Sequence, residues 1–270
     1  MYLKKTITFI LILIVLCFIS GCHRNNQKKA MSDDVEPVIY PIEDKTLDDS
    51  WWFAYVEDVP KAIQEAIYQR ESYVAETTGQ TVAKVIFDYT QTIKAATYKA
   101  GDYAYVYNDS HSALVDAYLE AYFNKSVQYR ETKKATFKDV SYEDYQSQYG
   151  IIPTTRQIDG YVMNHESIIS VKKQSRNEFI ITLDGEIAGK NNKINMKELG
   201  HLLDYPVFDE LVMTVTLEDD LFPISIHLHA IYHAQVAVLG RVKCVQDYTI
   251  NFRAISDEER LFISSPPKEG

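Results

Sequence analysis

The stretch LVMTVTLEDDLFPISIHLHAIY, residues 211–232, constrains the fold more than any other part of this 270-residue chain. Apolar and polar residues alternate along two runs that flank Asp219-Asp220, and a period of two marks a strand with one buried face. Paired antiparallel around that acidic turn, Leu217 meets Phe222, Val215 meets Ile224, Met213 meets Ile226 and Leu211 meets Leu228. Every pair on that face is apolar. The other face carries Thr214, Thr216, Ser225, His227 and His229, so the ribbon has a packed side and a polar side.

The neighbouring segments extend this pattern. SIISVKKQSRNEFIITLDGEIAG, residues 167–189, reads as two strands around a Ser175-Arg176-Asn177 turn, followed by a short helix over 195–203. A last pair covers 236–246 and 247–254, with Val242, Cys244, Tyr248, Ile250 and Phe252 on one face. Residues 257–270, with Pro266-Pro267, read as a disordered tail. The first half reads helical. Asp58 is an N-cap with Pro60 in the first turn, and Ala62, Ile63, Ala66 and Ile67 form one stripe. Val82, Val85, Ile86, Tyr89 and Ile93 repeat that spacing after Gly79, as do Leu114, Ala117, Tyr118, Ala121 and Tyr122 after a cap at Asp109 or Ser110. Between the last two lies TYKAGDYAYVY, residues 97–107, a hairpin turning at Gly101-Asp102 with Tyr103, Tyr105 and Tyr107 on one face. A short helix over 142–149 is stopped by Gly150.

The N-terminus sets the expected compartment. Lys4 and Lys5 precede an apolar run from Phe9 to Ile19, then Ser20, Gly21 and Cys22, the layout of a secretory signal with too few apolar residues for a spanning helix of about 20. Ile19-Ser20-Gly21-Cys22 resembles the bacterial lipobox. That resemblance implies removal of residues 1–21, lipid attachment at Cys22, and a protein held by acyl chains on the extracytoplasmic face of the cell membrane. Residues 22–50 are polar, charged and proline-bearing, the composition of a flexible tether, and 51–256 form the ectodomain, with Trp51 and Trp52 opening its core. Losing Lys4 and Lys5 moves the net charge from −10 to −12. So acidic a chain excludes a nucleic-acid partner, which requires a basic surface. Of the three cysteines, Cys17 leaves with the signal and Cys22 takes lipid, so Cys244 stands alone and the fold rests on its core.

Helices followed by long meandering strands predict an α+β domain, an antiparallel curved sheet shaped like a half-barrel and covered on one face by helices. An NTF2-like cone, with helices first and a pocket between layers, is the alternative. The lipobox, the tether and the acidic turn leading into a P-x-x-I strand at Pro223 resemble the LolA/LppX-like bacterial lipoproteins over about residues 160–255. That resemblance implies an unclosed barrel whose mouth is plugged by helices and whose interior carries lipid or another apolar molecule.

No catalytic motif is present: there is no G-x-S-x-G, no phosphate loop, no H-E-x-x-H and no C-x-x-C. His227 and His229, two apart on one strand face, are a lead for metal binding, with His233 too far along to join without a bend. No fourth ligand is set by spacing, so no metal and no cofactor are assigned. Residues 184–195 fail as a calcium loop, because Ala188 and Asn195 stand where acids are needed. Cys244 reads as a small buried hydrophobe and the tyrosines as cross-strand stabilisers. Asp33-Asp34, Asp48-Asp49 and Asp219-Asp220 read as solvated charge in tether or turn. Two classes of function remain: a membrane-anchored module carrying an apolar or amphipathic small molecule between sheet and helices, or an envelope interaction and scaffolding protein without a cavity. A metal-assisted hydrolase on the histidine face is a distant third.

Overall fold

Threonine, valine, isoleucine and tyrosine dominate the runs that become strands, and pairing extends those strands well beyond the usual length of 5–6 residues. The computed structural model describes residues 63, 66–84, 88–112, 116–149, 168–175, 177–187, 207–236 and 240–266. The lipobox, Cys22, the tether, Trp51, Trp52 and the helix expected over 195–203 lie outside them.

The strands are β1 (Ser72–Lys84), β2 (Asp88–Ala100), β3 (Tyr103–Ser112), β4 (Asp116–Phe123), β5 (Val127–Arg130), β6 (Lys138–Val140), β7 (Ile168–Lys173), β8 (Glu178–Leu183), β9 (Val207–Leu217), β10 (Pro223–Val236) and β11 (Gly240–Arg253). They form one open, curved antiparallel sheet in the order β6-β5-β4-β3-β2-β1-β11-β10-β9-β8-β7. Two meanders, β1 to β6 and β7 to β11, thus join edge to edge where β1 pairs with β11 from Val74↔Arg253 to Lys84↔Lys243. The sheet matches the half-barrel expectation. Helix cover is met in part: α1 (Tyr142–Tyr149) and α2 (Asp257–Ser264) sit on opposite faces of the β2–β5 region.

One face, called inner here, holds the main core. Leu211, Val215, Leu217, Ile226, Leu228, Ile181 and Ile250 are buried on it, each worth roughly 1.5–3 kcal/mol on removal from water. Ile63, Ala66 and Ile67 of the first expected helix pack against this cluster, and residues 66–69 are helical. Further along the same face, α1 sets Tyr145 edge-on to Phe123 and Tyr129, with ring centroids 5.1 and 5.6 Å apart. On the outer face α2 buries Ile263 completely beside Val74, Tyr105 and Tyr122.

Two expected helices are strands. In β4, Leu119, Ala121 and Phe123 are buried on the inner face, and Glu120 and Tyr122 on the outer. A strand buried on both faces loses its alternation, and its consecutive apolar positions then satisfy helical spacing equally well. Likewise β2 buries Ile93 and Ala95 inward and Ala96 outward, and its threonines and tyrosines gain more from two hydrogen-bonded neighbours than from a helix. The helices-first order of the cone alternative goes with them. Nor are residues 257–264 a disordered tail: Ser256 caps α2 in a reciprocal capping box with Glu259, and three acids in its first turn complement the helix dipole.

One hairpin matches expectation and another differs from it in register and loop length. The β2–β3 loop turns at Gly101-Asp102, with Gly101 at φ 59, the glycine-first form of a two-residue hairpin. The β9–β10 ribbon keeps the expected inner residues apart from Ile224 but shifts by two: Val215 faces Ile226 and Met213 faces Leu228. Its loop is longer than Asp219-Asp220, with Leu221 at φ 67, and the extra residue at Ile224 bulges outward to 45% exposure. β11 runs unbroken through Asp247, because β10 and β1 pair with it along both edges.

A buried polar patch as candidate functional site

Along β11, the inward positions are Val242, Cys244, Gln246, Tyr248, Ile250 and Phe252, and Gln246 is as buried as the apolar residues beside it. The register then places Thr81 of β1 opposite Gln246, and Gln91 of β2 opposite Thr81. One uncharged polar row therefore crosses three adjacent strands at the joint between the meanders. Thr77 stands four residues along β1, roughly 13 Å away, and Asn108 of β3 lies two strands over from it through Ala95. Relative exposures are 0% for Gln246, Thr77 and Asn108, 2% for Thr81 and 3% for Gln91. Ser110 donates to Asn108 Oδ1 at 2.8 Å, which leaves Asn108 Nδ2 as the free end of that amide.

Between the two rows the sheet narrows. Gly79 sits opposite Tyr248 and Ile93, and a Cβ there would lie 2.3 Å from the Asp247 carbonyl oxygen and 2.4 Å from Tyr248 Cα. Only a residue without a side chain permits β1 and β11 to approach so closely.

Seven polar atoms of the patch have no hydrogen-bond partner in the protein: Thr77 Oγ1, Thr81 Oγ1, Gln91 Nε2 and Oε1, Asn108 Nδ2, and Gln246 Nε2 and Oε1. Leaving one such group unmet costs about 1–3 kcal/mol, and a whole domain is stable by only about 5–15 kcal/mol. Seven are too many to leave unmet. None of the seven is met within the chain, and among the described residues no ionisable side chain belongs to the patch. Lys99, on the inner face of β2 but eight residues from Gln91, is about 26 Å away along the strand. Burial lowers its pKa, and its ammonium donates to the Tyr68 carbonyl at 3.0 Å.

The outer face has a different character. Glu120 accepts from Tyr118 (2.6 Å), Tyr105 (3.1 Å) and Arg130 Nε (2.6 Å). Burial, reinforced by Glu120, pushes Tyr118 up to about 12 and Tyr105 higher still. Asp109 accepts from Tyr107 at 2.9 Å and pairs with Lys133 at 2.7 Å. The hydroxyls of Tyr105, Tyr107 and Tyr118 all find carboxylate partners within the chain, as the stabilising reading of the tyrosines requires.

The residues singled out in the sequence fall elsewhere. His227 and His229 lie on the outer face of β10, with Nδ1 atoms 3.2 Å from Thr249 Oγ1 and 2.6 Å from Asp247 Oδ1. His233 lies 3.2 Å from Asp209. Among the described residues no three His, Cys, Asp or Glu side chains converge on a metal-sized site. Cys244 is buried across from Tyr232, and burial pushes its thiol up to about 11, so it is neither a thiolate nor exposed. Asp220 is no free turn charge: with Glu218 it holds Arg70 at 2.9 and 2.8 Å, and the guanidinium lies 3.9 Å over the Phe222 ring. The patch itself was missed. Its signal was Gln246, the lone polar residue at the inward positions of β11, but its partners on β1 and β2 lay in segments expected to be helical.

No protein-family model matches the sequence, and no curated protein matches it. Among solved structures, the chain is similar to a DUF1329 family protein from Desulfovibrio piger, at 9% identity over 74% of this chain and 93% of that one, with a TM-score of 0.27. A putative outer membrane lipoprotein-sorting protein domain from Vibrio parahaemolyticus is similar at 7% identity over 77% and 98%, with a TM-score of 0.28. Overlaps this loose carry no functional assignment.

Proposed function

We propose that this chain is a lipid-anchored, extracytoplasmic binding module that holds an amphipathic small molecule against the inner face of its curved sheet. The observation that carries this reading is the polar patch: neutral hydrogen-bonding groups, fully buried and unmet by the protein, set within an otherwise apolar face. An apolar chain matches the buried apolar residues Leu228, Ile226, Val215 and Tyr248, and a polar end group matches Gln246, Thr81 and Gln91. The Ile19-Ser20-Gly21-Cys22 sequence supports anchoring by acyl chains at Cys22.

Mass spectrometry of organic extracts tests the binding. The full chain, purified from bacterial membranes, is compared with an equally anchored control protein of unrelated fold. A species enriched about stoichiometrically over the control is the expected result; extracts that match the control leave the envelope scaffolding reading in its place. Metabolic labelling with palmitate tests the anchor, and label retained by the Cys22→Ala chain would exclude it.

A further inference from the structure

We infer that the Gln246–Thr81–Gln91 row, flanked by Thr77 and Asn108, selects an uncharged end group that both donates and accepts hydrogen bonds, such as a sugar hydroxyl array or an amide. This rests on the binding proposed above and names the class of ligand.

The free groups are of mixed kind. Gln91 and Gln246 each present an amide N–H pair and a carbonyl oxygen, Asn108 presents N–H only, and Thr77 and Thr81 present hydroxyls that serve either way. A carboxylate or phosphate only accepts, or nearly so. It would leave both glutamine carbonyl oxygens unmet and bring a full charge into a buried site with no cation beside it among the described residues, and burial of an unpaired charge is far costlier than burial of a hydroxyl. An ammonium only donates and leaves the three amide N–H pairs unmet. Polyols and amides match donor to acceptor on every group. The flanking Thr77 and Asn108 stand roughly 13 Å further along β1, beyond Gly79, Tyr248 and Ile93.

The geometry separates three kinds of end group on one alkyl chain. The full chain in phosphatidylcholine nanodiscs is titrated with octyl glucoside, octanamide, octanoate and octyl phosphate below their micelle concentrations, with empty nanodiscs as the blank. Octyl glucoside or octanamide, or both, bind at least tenfold more tightly than octanoate and octyl phosphate; whichever of the two binds more tightly distinguishes a sugar from an amide. Gln91→Leu and Gln246→Leu each weaken the neutral ligand roughly three- to tenfold while leaving octanoate unchanged, the loss of one hydrogen-bonded pair. Thr81→Val, the same shape without the hydroxyl, gives a smaller loss in the same direction and guards against a folding defect in the leucine variants. Equal or tighter binding of octanoate, or variants that leave all four ligands unchanged, overturns this inference but not the binding. Binding of none of the four overturns both.

Discussion

Gly79→Ala tests the joint on which the patch is built. The new methyl would fall 2.3 Å from the Asp247 carbonyl oxygen and 2.4 Å from Tyr248 Cα and Cβ, and because these are backbone and near-backbone atoms no rotamer change relieves the overlap. β1 and β11 must separate by about 1 Å, which stretches the nearest ladder hydrogen bonds from about 2.9 Å towards 4 Å, beyond useful length. Losing two such bonds at about 1 kcal/mol each, with the packing around Tyr248, outweighs the ~0.5–1 kcal/mol that alanine gains over glycine in the unfolded chain. The net cost is about 2–4 kcal/mol. At about 2–4 °C per kcal/mol for a chain of this size, the melting temperature falls by roughly 4–16 °C. Urea unfolding followed by circular dichroism reads the free energy, and hydrogen exchange should quicken first at amides of β1 and β11. Gly101→Ala is the control: its methyl meets nothing within 4 Å, so only the positive φ of 59 is strained, at about 1 kcal/mol. Asparagine should recover part of that loss at position 101 and none at 79. A Gly79→Ala protein within about 0.5 kcal/mol of wild type would refute the close approach and the patch geometry drawn from it.

Ile263→Ala should cost about 2–4 kcal/mol, since Ile263 is fully buried and ties α2 to Tyr105 and Tyr122; an unchanged urea midpoint would mean that α2 does not pack there. Glu259 is held down to about 2 by Arg253, against an ordinary value of 4.5, so its contribution is complete above pH 4.5 and fades as pH falls towards 2. Screened at the surface, that contribution is about 0.5–1 kcal/mol, and the gap between the Glu259→Gln variant and wild type should be full at pH 7 and shrink steadily as pH falls through about 2. Cys244, buried and titrating at about 11, should resist iodoacetamide at pH 8 until urea unfolds the chain; rapid labelling of the folded protein would show that Cys244 is not packed against Tyr232.

Local pattern carried some of this protein and not the rest. The strands of the second half were legible because each buries mainly one face, so Leu211, Met213, Val215 and Leu217 announce their period of two without reference to anything else. The Gly101 turn was legible because a positive φ demands glycine there, and the α1 helix because a glycine follows it in the sequence. β4 was not, since burial from both sides erases alternation, and β2 was not, since the polar Gln91 interrupts its inward positions Tyr89 and Ile93; only the finished sheet, with α1 against one face and α2 against the other, shows which positions point where. The same holds for the ribbon register, where residue identities set the face but the five-residue passage from Glu218 to Phe222 and the bulge at Ile224 set the offset.

The order of residues by itself determined the expected address, through a lipobox-like tetrapeptide read linearly, and the inward positions of most later strands. Only the tertiary structure brought Gln246, Thr81 and Gln91 into one line, because Gln246 stands more than 150 residues from the other two and meets them only where β1 closes on β11. A hydrogen-bonding row across a sheet is a property of register, and long-range register comes from closure of the whole fold rather than from any single segment.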